Sequence, residues 1–333
     1  MCESIAAASV GGSFSPEMPA ICSRIAHVGK NMRIVISGAS GLVGRSLAQL
    51  LLANRHEVAR LVRPGAKAEP GDVRWDPAAA TIDMAAMEGA EAVVHLSGAS
   101  IAAGRWTSAR KAELRGSRVD TTRVLVDALA RLRQRPQAFV CASAIGYYGD
   151  RGDEVLTEAS DCGTDFLALL TRDWEGEAVR AQHAGIRTVR LRFGVILAPE
   201  GGALPKMLAP LRWGIGGRLG SGRQWMSWTA LQDAIEIARN AISDEHYAGA
   251  INVVAPNPVR NTEFTRIAAA ILNRPAIFPA PAFALRLALG EMAQTLLLAS
   301  QRVQPARLSE LGYSFRFESI EPALRSLLDK RVT

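Results

Sequence analysis

Between residues 33 and 255, short runs of apolar and β-branched residues alternate with longer stretches whose apolar positions recur every three or four residues. The first run, RIVISG at 33–38, ends in glycine and predicts a buried parallel strand. GLVGRSLAQLLLANR follows it, with Val43, Leu47, Leu50 and Leu51 at helical spacing. HEVARLVR (56–63), DVRW (72–75) and AEAVVHLSG (90–98) predict three further strands. A long helical region, SARKAELRGSRVDTTRVLVDALARLRQ, carries Val124, Leu125, Leu129 and Leu132 on its later apolar face and stops before Pro136. AFVCAS (138–143) is a fifth strand, and residues 165–185 form a helix with Gly185 at its C-terminal end. RTVRLRFGVIL (187–197) is a sixth strand, WTALQDAIEIARNAIS (228–243) a helix and GAINVVA (249–255) a seventh strand.

This alternation implies right-handed βαβ units and an α/β fold: a doubly wound parallel sheet of the Rossmann type, of about seven strands. After Ala255 proline becomes frequent and the alternation stops, which predicts a smaller, mainly helical C-terminal domain. The Gly- and Pro-rich stretch 198–224 leaves the sheet to join it. The expected organisation is a dinucleotide-binding domain of residues 32–197 plus 225–255, and a substrate-side domain of 198–224 plus 256–333. Residues 1–31 are small and polar, with Glu3 and a short apolar run that make a poor signal peptide. They read as a disordered tail, or as an extension ahead of a translation start at Met32. FALRLALGEMAQTLLLAS is broken by Arg286, Glu291 and Gln294, too short and interrupted to span a bilayer, and reads as a buried or amphipathic helix, so no membrane partner is expected.

Composition adds less. A 48% hydrophobic and 21% charged chain is ordinary for a globular protein. The formal charge of +7 favours anionic partners, phosphorylated cofactors among them. No run of Lys and Arg interleaves with aromatics, so a nucleic-acid partner is not expected. Cys2, Cys22, Cys141 and Cys162 show no CxxC spacing and the histidines are isolated, which argues against a disulfide framework or a bound metal and for reduced thiols in a cytoplasmic protein.

The strongest chemical signal is SGASGLVG, set between the first strand and the first helix. Gly38 permits the tight turn, Gly41 lets the backbone approach a pyrophosphate, and Gly44 allows the helix to pack closely on the strand. The helix N-terminus, with Ser40, Leu42 and Val43, offers amides and a positive dipole end to phosphates. At the end of the second strand, where a free ribose 2′-hydroxyl calls for an acid, the chain has Arg63 with Lys67 nearby. A guanidinium grips a 2′-phosphate, so NADP is expected in preference to NAD. Asp76 in RWDP is a candidate contact for the adenine, although loop duty explains an Asp-Pro equally well. Leu96, Gly98 and Ala99, where the fourth strand stops, complete the expected cofactor set.

Ser143, Tyr147 and Tyr148, in CASAIGYYGD at the end of the fifth strand, are the candidate proton-transfer residues, with pocket lining as the alternative. Arg105, Trp106 and Lys111, in GRWTSARK, follow the fourth strand and suit an anionic or aromatic substrate, or else fix a loop by ion pairs. Arg118 could supply a cation, and Gln224 and Trp228 could close the pocket from the other side.

With these residues in place the chain resembles the extended short-chain dehydrogenase/reductase superfamily. More closely, it resembles the epimerase-like subfamily with a DUF1731 C-terminal domain, often labelled NAD-dependent epimerase/dehydratase or SulA-like. The landmarks run in order over about residues 32–330: ISGASGLVG, RWDP, VVHLSGASIAAGRW, SRVDTTRVLVDAL, SAIGYYGD, LRFGVIL, SWTALQDAI, RPAIFPAPAFALRLALGEMA and LGYSFRF. The resemblance implies a Rossmann domain with an inserted and C-terminal small domain, and a nicotinamide cofactor. It also implies a Ser or Thr, a Tyr-x-x-x-Lys pair and an Asn, and here the chain departs. No tyrosine is followed by Lys at the fourth position. Alignment through Glu175 puts Leu167 and Thr171 at the Tyr and Lys positions, alignment on YG puts Ala144 at the serine position, and the Asn position falls near Arg118. Two readings stay open: an NADP-using oxidoreductase or epimerase-like enzyme acting on a small, anionic substrate with non-standard acid/base residues, as monomer or homodimer, or a catalytically weak cofactor-binding sensor related to cell division.

Overall fold

Alternate residues of each central strand face opposite helical layers, and this period of two builds the molecule. A computed structural model describes residues 31–328. The expectations for residues 1–31, including Cys2 and Cys22, bear on positions that, Asn31 apart, lie outside that range. Strand β1 (Arg33–Ser37) sends Ile34 and Ile36 to one side and Val35 to the other. After it come α1 (Leu42–Ala53), β2 (Glu57–Val62), β3 (Val73–Asp76), β4 (Thr81–Ile82), α2 (Met84–Met87) and β5 (Ala92–His95). Next are α3 (Ser108–Arg115), α4 (Thr121–Arg131), β6 (Ala138–Ala144) and α5 (Phe166–Val179). The eight-stranded sheet is completed by the strands Arg187–Phe193 and Gly249–Val253, which lie beyond β6 in that order. From β6 the order runs β5, β1, β2, β3, β4. All pairings are parallel except β3 with the edge strand β4, which the sequence pattern misses because it is two residues long.

On one face Leu47 and Leu51 of α1 pack with Ile34, Ile36, Val94, Val140 and Leu191. On the other, Leu125 and Leu129 of α4 and Leu170 and Trp174 of α5 pack with Val35, Val93 and Phe139. The sheet is therefore doubly wound, as the alternation predicts.

Three expected elements are divided. The long helix of residues 108–134 is interrupted by a π-helical turn, Gly116–Asp120, between α3 and α4. The expected strand 187–197 breaks at Gly194, where an added Cβ would stand 2.7 Å from the Ser227 carbonyl oxygen. Beyond it Val195–Ala198 leaves the main sheet and pairs in parallel with Trp228–Ala230. Those three residues, read from sequence as the start of a helix, are thus strand, and the helix is Leu231–Ser243.

A third core joins Leu204, Leu208 and Leu211 (from helix Leu204–Arg212) to Trp228, Phe264, Ile267 and Leu324. It holds helices Asn261–Leu272 and Ile320–Leu328, part of the smaller, mainly helical C-terminal region. The expected helix FALRLALGEMAQTLLLAS breaks at Gly290 (φ +64°) into Ala282–Leu289, Glu291–Ala293 and a π-turn, Gln294–Leu298. Its first piece buries none of its residues, which corrects the expectation of a buried helix.

Candidate active site

The glycine loop has the close contacts its spacing requires. Gly38 sits at φ +72°, and a Cβ there would lie 2.8 Å from the Leu96 backbone on the neighbouring strand's exit. A Cβ on Gly44 would come within 2.3 Å of the Gly38 carbonyl oxygen, so helix and turn touch backbone to backbone. Gly41 is the N-cap of α1, and no side chain caps the helix. The first-turn amides, including those of Leu42 and Val43, are left for an outside acceptor beside the exposed Ser40. These residues fit a dinucleotide pyrophosphate: the cradle is one that any side chain would fill.

Next to it, at the ends of β2 and β3, Val62, Arg63, Pro64, Trp75, Asp76 and Ile82 line a cavity of about 320 Å³. It brings the two sequence-selected residues Arg63 and Asp76 together. Arg63 is exposed. The Asp76 carboxylate accepts hydrogen bonds from the amides of Ala78 (2.9 Å) and Ala79 (3.3 Å), so it also shapes its own turn. On the far side of the glycine loop, Leu96, Gly98 and Ala99 continue β5. Arg118, in the π-helical turn, donates to the Ala99 carbonyl oxygen (3.0 Å) and lies over the Trp174 ring. Its guanidinium would be 3.2 Å from a Cβ on Gly98. Burial, helped by Arg110, pulls its pKa down to about 10. Arg118 thus braces the cofactor-side loop.

The end of β6 holds the densest polar cluster. Ser143 is buried, and its hydroxyl donates to Glu175 of α5 at 2.6 Å. The same carboxylate accepts from Arg192 Nε (2.7 Å) and Nη2 (2.9 Å), and from Arg190 Nη1 (3.0 Å). Arg192 Nη1 donates to the Tyr148 hydroxyl (2.9 Å), which donates to Asn252 Oδ1 (2.7 Å). Tyr148 is fully buried, and burial pushes its pKa up to about 12. Its hydroxyl is occupied on both sides. Burial also opposes the charge on Arg192, but Glu175 outweighs it and holds the guanidinium above its ordinary value. The Arg192 guanidinium lies 3.6 Å from the Tyr147 ring centroid. Tyr147 is half-buried, and its hydroxyl makes no hydrogen bond to the described residues, leaving it available to a ligand. Leu167 and Thr171, at the positions of the missing Tyr-x-x-x-Lys pair, are buried beneath Gly146.

The loop carrying Tyr147 is tied down by residues far along the chain. Gln301 Nε2 donates to the carbonyls of Ile145 and Gly149 (both 3.1 Å). The Ser300 amide donates to Asp150 (3.0 Å) and its hydroxyl to the Gly152 carbonyl (2.6 Å).

The remaining selected residues lie apart from this cluster. Lys111 pairs with Glu291 (2.5 Å) and sits over the Phe166 ring, and Trp106 Nε1 donates to the Ile101 carbonyl. Arg105 is exposed near Gly290. This is the loop-fixing alternative for GRWTSARK. The Gln224 amide donates to the carbonyls of Leu219 and Leu297, and Trp228 is fully enclosed in the third core with Nε1 on the Asn257 carbonyl. Burial on all sides removes Trp228 from any pocket wall. Sequence reasoning missed Glu175, Arg192 and Asn252. Their signal was legible: Glu175 on the inward face of a helix and Arg192 inside an apolar strand are opposite charges in two buried stripes.

The sequence pattern described as the NAD dependent epimerase/dehydratase family matches residues 34–253, and DUF1731, a domain of unknown function, matches 280–327. An epimerase family protein of Mycobacterium leprae is 40% identical over 300 residues, covering 90% of this chain and 97% of that one. The crystal structure of human epimerase family protein SDR39U1 with NADPH has a TM-score of 0.81 at 32% identity, over 90% of this chain and all of that one. A nucleoside-diphosphate sugar epimerase from Corynebacterium glutamicum has a TM-score of 0.73 at 38% identity, over 90% of this chain. The present chain spans only 58% of that longer protein.

The expected preference for NADP over NAD is corrected. The same fold holds NAD in the UDP-glucose 4-epimerase of Thermus thermophilus, with a TM-score of 0.69 at 17% identity. It does so again in WbmG of Bordetella bronchiseptica, with NAD and UDP. Arg63 is exposed and free to turn into solvent, so it neither repels a ribose hydroxyl nor requires a phosphate. Among the described residues no helix is long and apolar enough to cross a membrane.

Proposed function

The chain belongs to the NAD dependent epimerase/dehydratase family, an NAD(P)-binding, oxidoreductase or epimerase-like enzyme by kinship, and from that premise we propose that it works on a nucleoside-diphosphate sugar with NAD as its dinucleotide. The observation that carries the reading is the backbone-lined cradle of Gly38, Gly41 and Gly44 at an uncapped helix start. The likeness to the Corynebacterium sugar epimerase supports the substrate class, and the net charge of +7 suits its diphosphate. When bound, the dinucleotide supplies a hydride acceptor and donor.

This chain's residues do the rest. The α1 amides and the glycine loop hold the pyrophosphate, and the cavity beside Arg63 and Asp76 takes the adenosine end. Tyr147 Oη takes the substrate hydroxyl proton and returns it. Arg192, fixed by Glu175, keeps a positive charge against the Tyr147 ring, where it favours the phenolate that receives the proton in the first step and is restored when the proton is returned. Ser143 and Tyr148 position that pair and stay out of proton transfer.

The test supplies UDP-glucose, dTDP-glucose and GDP-mannose with NAD and follows both the 340 nm absorbance and the product sugar. Turnover of one of them is expected, with Tyr147→Phe lowering kcat at least about a hundredfold at unchanged NAD affinity. Tight NAD binding without turnover of any would instead favour the sensor reading, whose support is Leu167 and Thr171 standing where the family has Tyr and Lys. Full activity in Tyr147→Phe would remove Tyr147 from the mechanism.

A further inference from the structure

Large apolar side chains are exposed on adjoining segments of the C-terminal half. Trp213 (78% exposed), Ile215, Ile277, Phe278, Phe283 (72%) and Leu287 (77%) all face solvent. The segments that carry them are joined. The Phe278 amide donates to the Gly216 carbonyl, Gly220 and Arg218 exchange backbone bonds with Ala280, and helix Ala282–Leu289 follows at once. Phe283 and Leu287, four residues apart, share a helix face. The six side chains together expose on the order of 600–800 Å², apolar area that a monomer ordinarily covers.

The segments that carry these side chains bear charge of one sign. Between Glu200 and Asp233, and again between Glu263 and Glu291, the sequence contains no Asp or Glu. It contains Lys206, Arg212, Arg218, Arg223, Arg266, Arg274 and Arg286. All are exposed, and among the described residues none is ion-paired. Elsewhere arginines are paired freely, as Arg123 with Glu177, Arg180 with Asp127 and Arg115 with Asp173, pairs that join α3 and α4 to α5 and the turn after it. A symmetric contact between two copies through this patch would bring like-charged rims together. Apolar anchors inside an unpaired cationic rim fit an anionic, apolar-cored surface instead.

We infer that this face docks the protein onto anionic lipid bilayers. Trp213, Phe278, Phe283 and Leu287 enter the headgroup boundary, and Arg212, Arg274 and Arg286 contact phosphates. The protein lies on the membrane and does not cross it, a role separate from the dinucleotide site.

Sedimentation of the full chain with vesicles tests this, comparing phosphatidylcholine alone with phosphatidylcholine containing about a third phosphatidylglycerol. Binding is expected only with the anionic lipid, and to weaken with added salt. Phe283→Ser with Leu287→Ser should lower it at least about tenfold. Arg212→Gln, Arg274→Gln and Arg286→Gln should each lower it roughly fivefold. All five side chains are exposed, so unchanged thermal unfolding shows the variants are folded. Three results would overturn the proposal: no sedimentation with anionic vesicles, binding that ignores these substitutions, or a dimer in solution that Phe283→Ser dissolves, which would assign the patch to a second copy.

Discussion

Glu175→Gln tests whether the cluster under the Tyr147 loop is a charge pair holding one position. The Glu175 and Arg192 side chains are 5% and 4% exposed, and two hydrogen bonds of 2.7 and 2.9 Å join them in a fork. Glutamine keeps the shape and removes the charge. Arg192 then stays buried with only amide and phenol oxygens to face, and breaking one side of a buried pair costs about 3–5 kcal/mol. Arg190, more exposed at 21%, can turn to water and adds little. At roughly 2–4 °C per kcal/mol, thermal unfolding should fall by about 6–20 °C. Removing both charges, with Glu175→Met and Arg192→Met together, should recover most of that loss. Tyr148 still donates to Asn252 in the double variant; the bonds of Ser143 and Arg190 to Glu175, the bond of Arg192 to Tyr148 and the guanidinium over Tyr147 are forfeited, the first two leaving groups that can turn to other partners. Circular-dichroism melts and urea titrations of the two singles and the double give a coupling energy, expected at about 2–4 kcal/mol. The reasoning fails if Glu175→Gln loses less than about 1 kcal/mol, or if the double variant loses the sum of the singles.

Gly41→Ala puts a Cβ 3.2 Å from the Gly38 carbonyl oxygen, a tight contact that a shift of a few tenths of an ångström relieves, and enters the pyrophosphate space. NAD affinity by calorimetry should fall at least about tenfold with the melting temperature little changed. Arg63→Ala should leave NAD affinity within about threefold, since an exposed arginine makes no demand on a ribose hydroxyl. His95 is fully buried, with Nδ1 on the Ser37 hydroxyl (2.6 Å), and burial holds its pKa down to about 4 from 6.5. The unfolded chain therefore binds the extra proton first, and stability present above pH 6.5 is lost as pH falls toward 4, by about 3 kcal/mol in all. Urea titrations across that range should show this slope flattened in His95→Gln.

The parallel sheet was legible because its strands and helices differ in period, and because SGASGLVG marks the first turn by steric need. Breaks were less so. Gly194 lies inside a continuous apolar run, and only the close approach of Ser227 makes the chain change sheets there. Trp228–Ala230 reads as helix by spacing, yet pairing with Val195–Leu197 overrides that preference. At the candidate site, the sequence placed Ser143, Tyr147 and Tyr148 together at the end of β6 but could not apportion their partners. Those partners, Glu175, Arg192 and Asn252, lie far away in sequence, and their convergence is a tertiary fact. Arg63 was misread because residue type alone does not say whether a guanidinium is held in place.

Ser300 and Gln301 give the site an order of assembly. The sheet, the glycine loop and the buried charge pair all lie within residues 33–253, and can form while later residues are still being synthesised. The loop that presents Tyr147 receives its last fastenings only when residues 300 and 301 arrive. A nascent chain can thus fold its glycine loop before the Tyr147 loop is fastened, so the chemistry proposed for Tyr147 waits on the arrival of the C-terminal region.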